Sequence, residues 1–480
     1  MLKSIQELRG RDLEIPSAVL IYERSTMPKI SQYNHFSPWR DGYYLAYNAI
    51  SGALGLMTSE NYSMYRELLN KLSNGSTPPL TDKEKELLEQ LQYGRFVVDD
   101  PIPEFDSLKF RYRKARFDNK SLGLVIAPTM ACNMACEYCF EANKQGKMSS
   151  RVIESLIDFI EKQAPDLDAV DVSWYGGEPL LAFDVIEDIT ESVLDLAKEY
   201  NFTYTCDGVI TNGYLLDKEK TDKLAAMKAG QVQITLDGPS YLHNRKRPLK
   251  NGKDSFDTII KNIQYACEKI PVVVRINLDN TFTTAMIDEL LHELTAAGLK
   301  NKVAVYFGQL EPATTTCSNI SESCFESKAF SKTEISFYRT LLEHGYFIQK
   351  LPHPIMTFCF AQLTNSFLID HEGEMYRCFN YAGDKLRSTG NIQNQINFGH
   401  PEFNHLFAFD PFENNNCRAC SILPICMGSC PSRRADRDIP EEEICDSWKY
   451  NLEPMLELVA LSRQQQAQQA AGQVEEEIAK

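Results

Sequence analysis

The sequence predicts an α/β protein built on a partial (β/α)6 barrel of the TIM type, preceded by a small winged-helix-like domain and followed by a cysteine-rich extension. Three observations lead to this fold class. Between residues 122 and 345, short apolar runs alternate with helical patterns, which indicates βαβ units and a parallel sheet. This alternation is absent before residue 120, and it stops near residue 350. A chain of 480 residues is also too long for one ordinary domain.

The predicted barrel contains six strands and six helices. We expect the strands at 122–129, 169–176, 204–212, 231–238, 272–279 and 302–310. We expect the helices at 150–163, 184–199, 217–229, 255–269, 284–298 and 332–345. In barrels of parallel strands, catalytic side chains lie at the carboxyl ends of the strands. The segments that follow each strand are therefore where chemistry is expected.

The flanking regions follow other patterns. "GYYLAYNAISGALGLM" (42–57) predicts a strand pair, helices follow at 59–72 and 81–94, and "RFVVDD" predicts a closing strand. In the extension, "NSFLIDHEGEMYRC" predicts a hairpin that turns at "HEG". The predicted domains are the small domain, the barrel, the extension and a helical or disordered tail, at 1–120, 121–348, 349–450 and 451–480.

Composition excludes several classes of function. The net charge of 50 − 66 = −16 makes nucleic acid an improbable partner. The N-terminus lacks the apolar region of a signal peptide, and no apolar run is long enough to span a membrane, so we expect a cytoplasmic protein. Fourteen cysteines in a reducing compartment favour metal binding or redox chemistry over disulfides.

Three of these cysteines are crowded into "TMACNMACEYCFEA" (129–142), directly after the first predicted barrel strand. Cys132, Cys136 and Cys139 offer soft thiolate ligands, which suit an iron–sulfur cluster or zinc. A 4Fe–4S cluster normally takes four cysteines, so three would leave one iron open to a substrate. Three buried structural cysteines, or a zinc site with a remote histidine, are the alternatives.

The spacing C-x3-C-x2-C, with aromatic Tyr138 before the last cysteine, resembles the signature of the radical S-adenosylmethionine (SAM) superfamily. The resemblance implies that the three cysteines hold a SAM-binding 4Fe–4S cluster. It also implies SAM contacts after the later strands, in "GGEP", "ITNGYLL", "TLDGP" and "RIN". The cofactor-binding residues it implies are Gly176, Gly177, Glu178, Pro179, Asn212, Thr235 and Arg275.

A second cysteine group resembles the seven-cysteine pattern of the SPASM extension, with Gly373 at its expected place. By that resemblance Cys417, Cys420, Cys426 and Cys445 hold one auxiliary 4Fe–4S cluster, and Cys359, Cys378 and Cys430 hold another. An eighth ligand would come from Cys317 or Cys324, or the last iron is open; the position six before Cys359 is His353. We favour the open iron. Two structural zinc sites are the alternative.

The resemblance further implies a peptide maturase that forms a 5′-deoxyadenosyl radical, takes electrons from a flavodoxin or ferredoxin, and acts on a precursor peptide with a leader. The favoured hypothesis is a thioether-forming enzyme of the sactipeptide or ranthipeptide kind. A carbon–carbon crosslinking enzyme is the second hypothesis. Formylglycine formation in sulfatases is disfavoured because Phe379 and Asn380 stand where that subgroup has an aspartate base. A multi-cluster electron carrier is the non-enzyme alternative.

Overall fold

The computed structural model describes residues 28–73, 79–99, 101–141, 145–311, 320–394, 397–435 and 438–478. Cys317, one candidate for the eighth ligand, lies outside these ranges. The strands, in chain order, are β1 (Lys29–Ile30), β2 (Asn34–Pro38), β3 (Tyr43–Asn48), β4 (Leu54–Thr58), β5 (Val97–Val98), β6 (Ser121–Ile126), β7 (Ala169–Trp174), β8 (Thr203–Thr211), β9 (Val232–Thr235), β10 (Val272–Leu278), β11 (Ala304–Gln309), β12 (Ser366–Ile369), β13 (Glu374–Tyr376) and β14 (Gly390–Asn391).

Helices in the first two thirds of the chain precede or connect these strands. They are α1 (Ser59–Ser73), α2 (Asp82–Tyr93), α3 (Glu104–Arg116), α4 (Ser150–Glu161), α5 (Phe183–Tyr200), α6 (Lys218–Ala226), α7 (Ser240–Lys246), α8 (Phe256–Ala266), α9 (Thr284–Ala296) and α10 (Ser327–Glu343). The remaining helices are α11 (Pro401–Phe407), α12 (Asn415–Arg418), α13 (Leu423–Cys426), α14 (Pro431–Ala435), α15 (Glu441–Ile444) and α16 (Trp448–Ile478).

A mixed sheet forms the centre of the molecule, in the order β11-β10-β9-β8-β7-β6-β12-β13-β14. The six strands from β6 to β11 are parallel neighbours joined by helices, which confirms the predicted partial barrel. The cysteine-rich extension is continuous with this sheet, because β12 pairs in parallel with β6 and continues into the antiparallel β13 and β14. The predicted hairpin at "HEG" is thus an extension of the barrel sheet.

Alternation along each strand divides the two faces of this sheet. On β10, Val272, Val274, Ile276 and Leu278 are buried in the main apolar core with the helices, while the residues between them are only partly buried. Arg275 therefore lies on the inner face of the barrel. Because side chains alternate between the two faces of a strand, polar groups lie inside the barrel and the apolar core lies between the sheet and its helices.

The N-terminal region contains the elements that the sequence predicts, together with the additional strands β1 and β2 and the additional helix α3. β2, β3 and β4 form an antiparallel sheet, and α2 begins with a capping box in which Thr81 and Glu84 exchange hydrogen bonds. One side of this region packs on α1 and α2 around Met57, Leu68 and Leu87.

A second apolar cluster joins the N-terminal sheet to the cysteine-rich extension. Leu45 and Tyr47 of β3 pack there with Ile425 and Met427, and with Leu456 of α16. The first turns of α16 are therefore part of the core, not of a loose tail. None of the helices within the described ranges has the length and apolar character required to cross a membrane.

Candidate active site at the carboxyl ends of the barrel strands

The cysteine loop follows β6 and is held in place from two sides. Cys132, Cys136 and Cys139 are all partly buried in it. The Met148 N–H donates to the Pro128 carbonyl at 2.8 Å, which closes the loop on itself. The Ala135 N–H donates to Pro248 at 2.9 Å, which ties the loop to the chain after α7. The three thiols that the sequence singles out are thus presented by a loop with a defined path.

The "GGEP" segment after β7 supports the chain that leads into this loop. The Glu178 N–H donates to the Ala131 carbonyl at 2.9 Å. A Cβ on Gly177 would lie 2.5 Å from the carbonyl oxygen of Ala131 and closer still to that of Met130. Glycine is required here because two backbone segments meet. The resemblance implies SAM contacts at these glycines, and in the structure the backbone of Met130 and Ala131 packs against Gly177.

The Glu178 carboxylate connects the loops after β7 and β8. It is fully buried and accepts hydrogen bonds from Leu180 N at 3.0 Å, Thr211 Oγ1 at 2.7 Å and Asn212 N at 2.8 Å. Burial raises the pKa of Glu178, and these donors oppose the increase. Its side chain therefore positions the two loops, and its backbone N–H and carbonyl are paired with Ala131 and Leu181. Pro179, also buried, begins the short helix that follows.

Hydrogen bonds fix the orientation of two side-chain amides near Cys132, those of Asn212 and Asn133. The Tyr214 N–H donates to Asn212 Oδ1 at 3.0 Å, so Asn212 Nδ2 faces the cysteine loop. That Nδ2 lies 2.7 Å from Asn133 Oδ1 and 3.8 Å from Cys132 Sγ. This arrangement turns Asn133 Nδ2 away, and it is buried without a hydrogen-bond partner among the described residues. A buried unpaired donor on the residue that follows Cys132 fits a site that holds a further acceptor. Sequence reasoning missed Asn133.

Tyr138 ties the other end of the loop to the inner face of the barrel. Its hydroxyl donates to Asp237 and accepts from Arg247, and Asn277 Nδ2 approaches it at 3.3 Å. Arg275 connects to this network because its Nε donates to Asn277 Oδ1 at 2.7 Å. The structure brings Arg275 to the barrel interior beside the network.

Thr235 ends β9 opposite Arg275 in the strand register. It is partly buried, and it occupies an inner-facing position between the buried Ile234 and Leu236. The SAM contacts predicted for Thr235, Arg275 and Asn212 remain predictions.

Burial makes Cys132 a poor thiolate without a cation. Desolvation raises its pKa to about 12, and the charges of Glu178, Cys136 and Glu141 act in the same direction. A bound metal compensates such a thiolate directly. The donor set of three neighbouring thiols and an unpaired amide therefore fits an iron–sulfur cluster. Glu141, a buried carboxylate that sequence reasoning passed over, also acts on Tyr175.

The remaining motif cysteines form two groups in space. The charge of Cys430 raises the pKa of both Cys359 and Cys378, each of which burial raises to about 12. Cys417 interacts with Cys420 and Cys445, and Cys426 interacts with Cys417. The structure thus brings together the same two sets that the sequence pattern assigns to two clusters. His353 is exposed, and the Cys324 thiol donates to the Ile320 carbonyl at 3.4 Å.

Cations accompany both of these groups. Arg377 is completely buried beside Cys359 and donates to the carbonyl oxygens of Ser366, Ala361 and Leu363. Desolvation lowers its pKa to about 9, while the charge of Cys359 acts in the opposite direction.

In the other group, Arg434 Nη2 lies 4.0 Å from Cys417 Sγ, and Lys449 Nζ lies 3.4 Å from Cys420 Sγ. In both cysteine groups, therefore, nearby cationic side chains stabilise negative charge on the sulfurs. A spacing pattern of cysteines could not reveal these cations.

A row of aromatic rings links the cysteine loop with the group of Cys359 and Cys378. Tyr175, just before "GGEP", is buried and interacts electrostatically with both Cys139 and Cys378. Its ring lies 5.0 Å from that of Phe379, which lies 5.2 Å from that of Phe360. Phe379 and Phe360 border a cavity of about 440 Å³ that extends along the inner face of β6 and β7.

The chain is similar in sequence to proteins of one known superfamily. Residues 126–294 match the model of the radical SAM superfamily. The cysteine-type anaerobic sulfatase-maturating enzyme of Clostridium perfringens is 24% identical over 68% of this chain and 94% of its own length. The mycofactocin maturase of Mycolicibacterium smegmatis is 24% identical over 67% of this chain and 81% of its own.

Solved structures show the same fold. His-tagged anSMEcpe with bound AdoMet has a TM-score of 0.55 at 20% identity, over 72% of this chain and 96% of its own. Streptococcus suis SuiB bound to its precursor peptide SuiA has a TM-score of 0.50 at 16% identity, over 86% of this chain and 98% of its own.

Residues 126–294 are therefore a radical SAM domain, and the protein is an enzyme of the α/β radical SAM fold. The match of residues 126–294 to this superfamily implies an iron–sulfur cluster and SAM.

Proposed function

We propose that this enzyme modifies a ribosomally made precursor peptide by linking a cysteine sulfur to a carbon of another residue. In this proposal Cys132, Cys136 and Cys139 hold the SAM-binding 4Fe–4S cluster. Two auxiliary clusters bring the total to three: one is held by Cys417, Cys420, Cys426 and Cys445, the other by Cys359, Cys378 and Cys430. When bound, the first cluster and SAM supply a carbon-centred radical that removes a hydrogen atom from the peptide.

The chain's own residues position these groups. Gly176, Gly177, Glu178 and Pro179 form the rim against which SAM is proposed to lie, with Asn212, Thr235 and Arg275 as further contacts. Arg275 is suited to the SAM carboxylate because a guanidinium forms paired hydrogen bonds with it. The buried Glu178 keeps the rim and the end of β8 in register.

The three-thiol group on the extension is the observation that carries the thioether proposal. Cys430 borders a cavity of about 140 Å³ with Gln309, Glu311 and Arg433. Three thiols leave one iron of a 4Fe–4S cluster without a protein sulfur. A peptide cysteine entering here would lose its proton and complete that cluster as a thiolate, and the cluster would be the acceptor of the one electron released when that sulfur bonds to the carbon radical. The row of Tyr175, Phe379 and Phe360, in which Tyr175 interacts with both Cys139 and Cys378, supports an approach between this group and the SAM-binding site.

The N-terminal sheet supports a role in recognising the leader. β2 and β4 are its two edge strands in the described part of the chain, and an extended peptide can add to such an edge through backbone hydrogen bonds. The structure of SuiB bound to its precursor peptide matches 86% of this chain, whereas the anSMEcpe structure matches 72%. The longer match extends the similarity of fold beyond the barrel and extension.

Formylglycine formation is the second candidate, because relatives are named sulfatase-maturating enzymes. That subgroup is expected to use an aspartate directly after the cysteine that corresponds to Cys378. Here the position is Phe379, whose ring packs on Tyr175. No carboxylate is available at that position, which favours the peptide crosslink.

Anaerobic incubation of the cluster-loaded enzyme with SAM, reduced flavodoxin and a cysteine-containing precursor peptide tests the proposal. We expect 5′-deoxyadenosine and a peptide that has lost two hydrogens per link and no longer reacts with a thiol reagent. The same mass loss with a reactive thiol would indicate a carbon–carbon crosslink, and loss of the sulfur would indicate formylglycine. The Cys378→Ala variant should lose crosslinking, while Cys267→Ala, outside every cysteine group, should retain it. An unchanged peptide from the wild type would contradict the proposal.

A further inference from the structure

Three potential metal ligands converge outside the barrel sheet, on the paired helices α9 and α10. Asp288 and His292 are four residues apart on α9, so they share one face of that helix. His344 is the C-terminal capping residue of α10. One ligand atom from each of the three residues lies within 4.8 Å of the other two. None of these residues belongs to the cysteine groups or to the barrel interior.

The distances suit a small cation. His344 Nε2 lies 2.6 Å from Asp288 Oδ1, and His292 Nε2 lies 3.7 Å from Asp288 Oδ2. The two imidazole rings are 4.8 Å apart between centroids and nearly perpendicular. Ligand atoms around a four-coordinate zinc stand roughly 3.3 Å apart, given zinc–nitrogen bonds of about 2.0 Å. Side-chain movements of less than about 2 Å would therefore bring all three atoms onto one ion.

The backbone that carries these ligands is already fixed. Just after His344, the buried Tyr346 hydroxyl lies 3.0 Å from Thr295 Oγ1 and donates to the Leu291 carbonyl at 3.2 Å. Gly345 has φ +71°, a conformation that glycine adopts easily, and it turns the chain between His344 and Tyr346. A ligand set on such anchored segments loses little conformational entropy when it binds an ion.

The chemistry of the ligand set defines the class of ion. Imidazole and carboxylate together suit zinc, nickel, copper and ferrous iron, and they do not suit magnesium or calcium, which prefer oxygen alone. A single imidazole would be enough to pair with Asp288, whereas here a second imidazole is directed at the same carboxylate.

We propose that Asp288, His292 and His344 bind one divalent transition-metal ion, with water in the remaining coordination positions. The ion would join α9 to the end of α10 and take no part in the radical reaction. This site would add one metal per chain to those of the iron–sulfur clusters.

Nickel binding to the untagged, cluster-loaded enzyme tests this proposal. With the cysteines occupied by clusters, equilibrium dialysis against Ni²⁺ and metal analysis should give one nickel per chain, and Ni²⁺ should raise the midpoint of thermal unfolding. The His292 side chain is 70% exposed, so His292→Ala should still fold, lose both effects and keep SAM cleavage unchanged. His344→Gln should lose nickel as well.

His405→Ala removes an exposed histidine on α11 and provides the matched control, which should bind nickel like the wild type. If the wild type takes up no nickel, the three side chains form an ion pair only and the proposal is wrong. If His292→Ala and His344→Gln both retain one nickel per chain, the metal binds elsewhere and the proposal is equally wrong.

Discussion

Single residues around the cysteines decide how negative charge is held at this site. Asn133, Arg377 and Arg434 supply a donor and two cations next to thiols that burial would otherwise keep protonated, and Lys449 Nζ lies 3.4 Å from Cys420 Sγ. Asn133 directly follows Cys132 and Arg377 directly precedes Cys378, but a pattern of cysteine spacing gives no information about the residues that accompany the thiols. Hydrogen bonds and nearby charges are among the main determinants of iron–sulfur potentials.

Asn133→Asp should lower the reduction potential of the SAM-site cluster in the absence of SAM. The new side chain can still accept from Asn212, but it lacks the buried, unpaired Nδ2 donor, and it adds negative charge. Anaerobic redox titration followed by electron paramagnetic resonance measures the shift. Asn404→Asp adds the same charge on the exposed α11 and should leave the potential unchanged. Equal potentials in all three proteins would show that the Asn133 amide does not act on the cluster.

Arg377→Met should lower both stability and iron content. The substitution keeps much of the apolar stem but leaves three carbonyl oxygens unpaired and removes the cation beside Cys359, which we expect to cost about 3–5 kcal/mol. Arg387→Met removes a partly exposed arginine that pairs with Glu402, and it should cost less than about 1 kcal/mol. Urea unfolding and iron analysis of the two variants measure the difference. Similar losses in both would argue against a special role for Arg377.

Among the structural elements, the loops after the strands depend on one another for their shape. The loop after β7 supports the chain before Cys132, and Glu178 connects it to the end of β8. The order of these loops was predictable, because consecutive parallel strands end on the same side of a sheet. Their mutual hydrogen bonds were not, since they join residues that are 34–47 positions apart, as Glu178 is from Asn212 and from Ala131.

Gly177→Ala should displace the cysteine loop. The added Cβ would overlap two backbone carbonyl oxygens, which cannot rotate away as a side chain could, so we expect about 1–3 kcal/mol of destabilisation and weaker SAM binding. Gly55→Ala, in β4, places its Cβ where no atom lies within 4 Å and should leave SAM binding unchanged. Thermal unfolding and SAM titration of the loaded enzyme compare the two. A Gly177→Ala enzyme with wild-type SAM affinity would contradict this account of the loop.

On the scale of the whole molecule, the N-terminal sheet, the barrel and the extension are packed together around the cysteines. The barrel sheet continues into the extension through β12, and the N-terminal sheet packs on the segment that contains Cys417 and Cys426. A leader peptide bound at the N-terminal sheet would therefore lie next to an auxiliary site, and the core of the peptide would have to extend from there to the barrel.

The metal-free protein should lose stability above about pH 9, whereas the cluster-loaded protein should not. Burial raises the pKa of Cys132, Cys359 and Cys378 from 9.0 to about 12, and that of Cys417 to about 11. These thiols ionise more readily in the unfolded chain than in the folded one. Their contribution to the stability of the fold is therefore complete below the unfolded pKa and is lost as the pH rises through the folded pKa. Each of these thiols should lower the free energy of unfolding by about 1.4 kcal/mol per pH unit between its unfolded and folded pKa.

Urea unfolding at about pH 8 and pH 10 measures this effect in both forms of the protein. In the loaded enzyme the thiolates are already bound to metal, so its stability should change little over the same range. A metal-free protein that is equally stable at both pH values would show that these thiols are less buried than the structure indicates.

The sequence by itself determined the parallel barrel, the cysteine loop after its first strand and the seven-cysteine pattern, because these features are periodic or local. Strand and helix periods repeat within short segments, and C-x3-C-x2-C lies in one loop. Only the tertiary structure decided which side chains surround the thiols, that the extension continues the barrel sheet, and that Asp288, His292 and His344 meet. Each of these depends on contacts between distant segments, which follow from packing and leave no periodic signal in the chain.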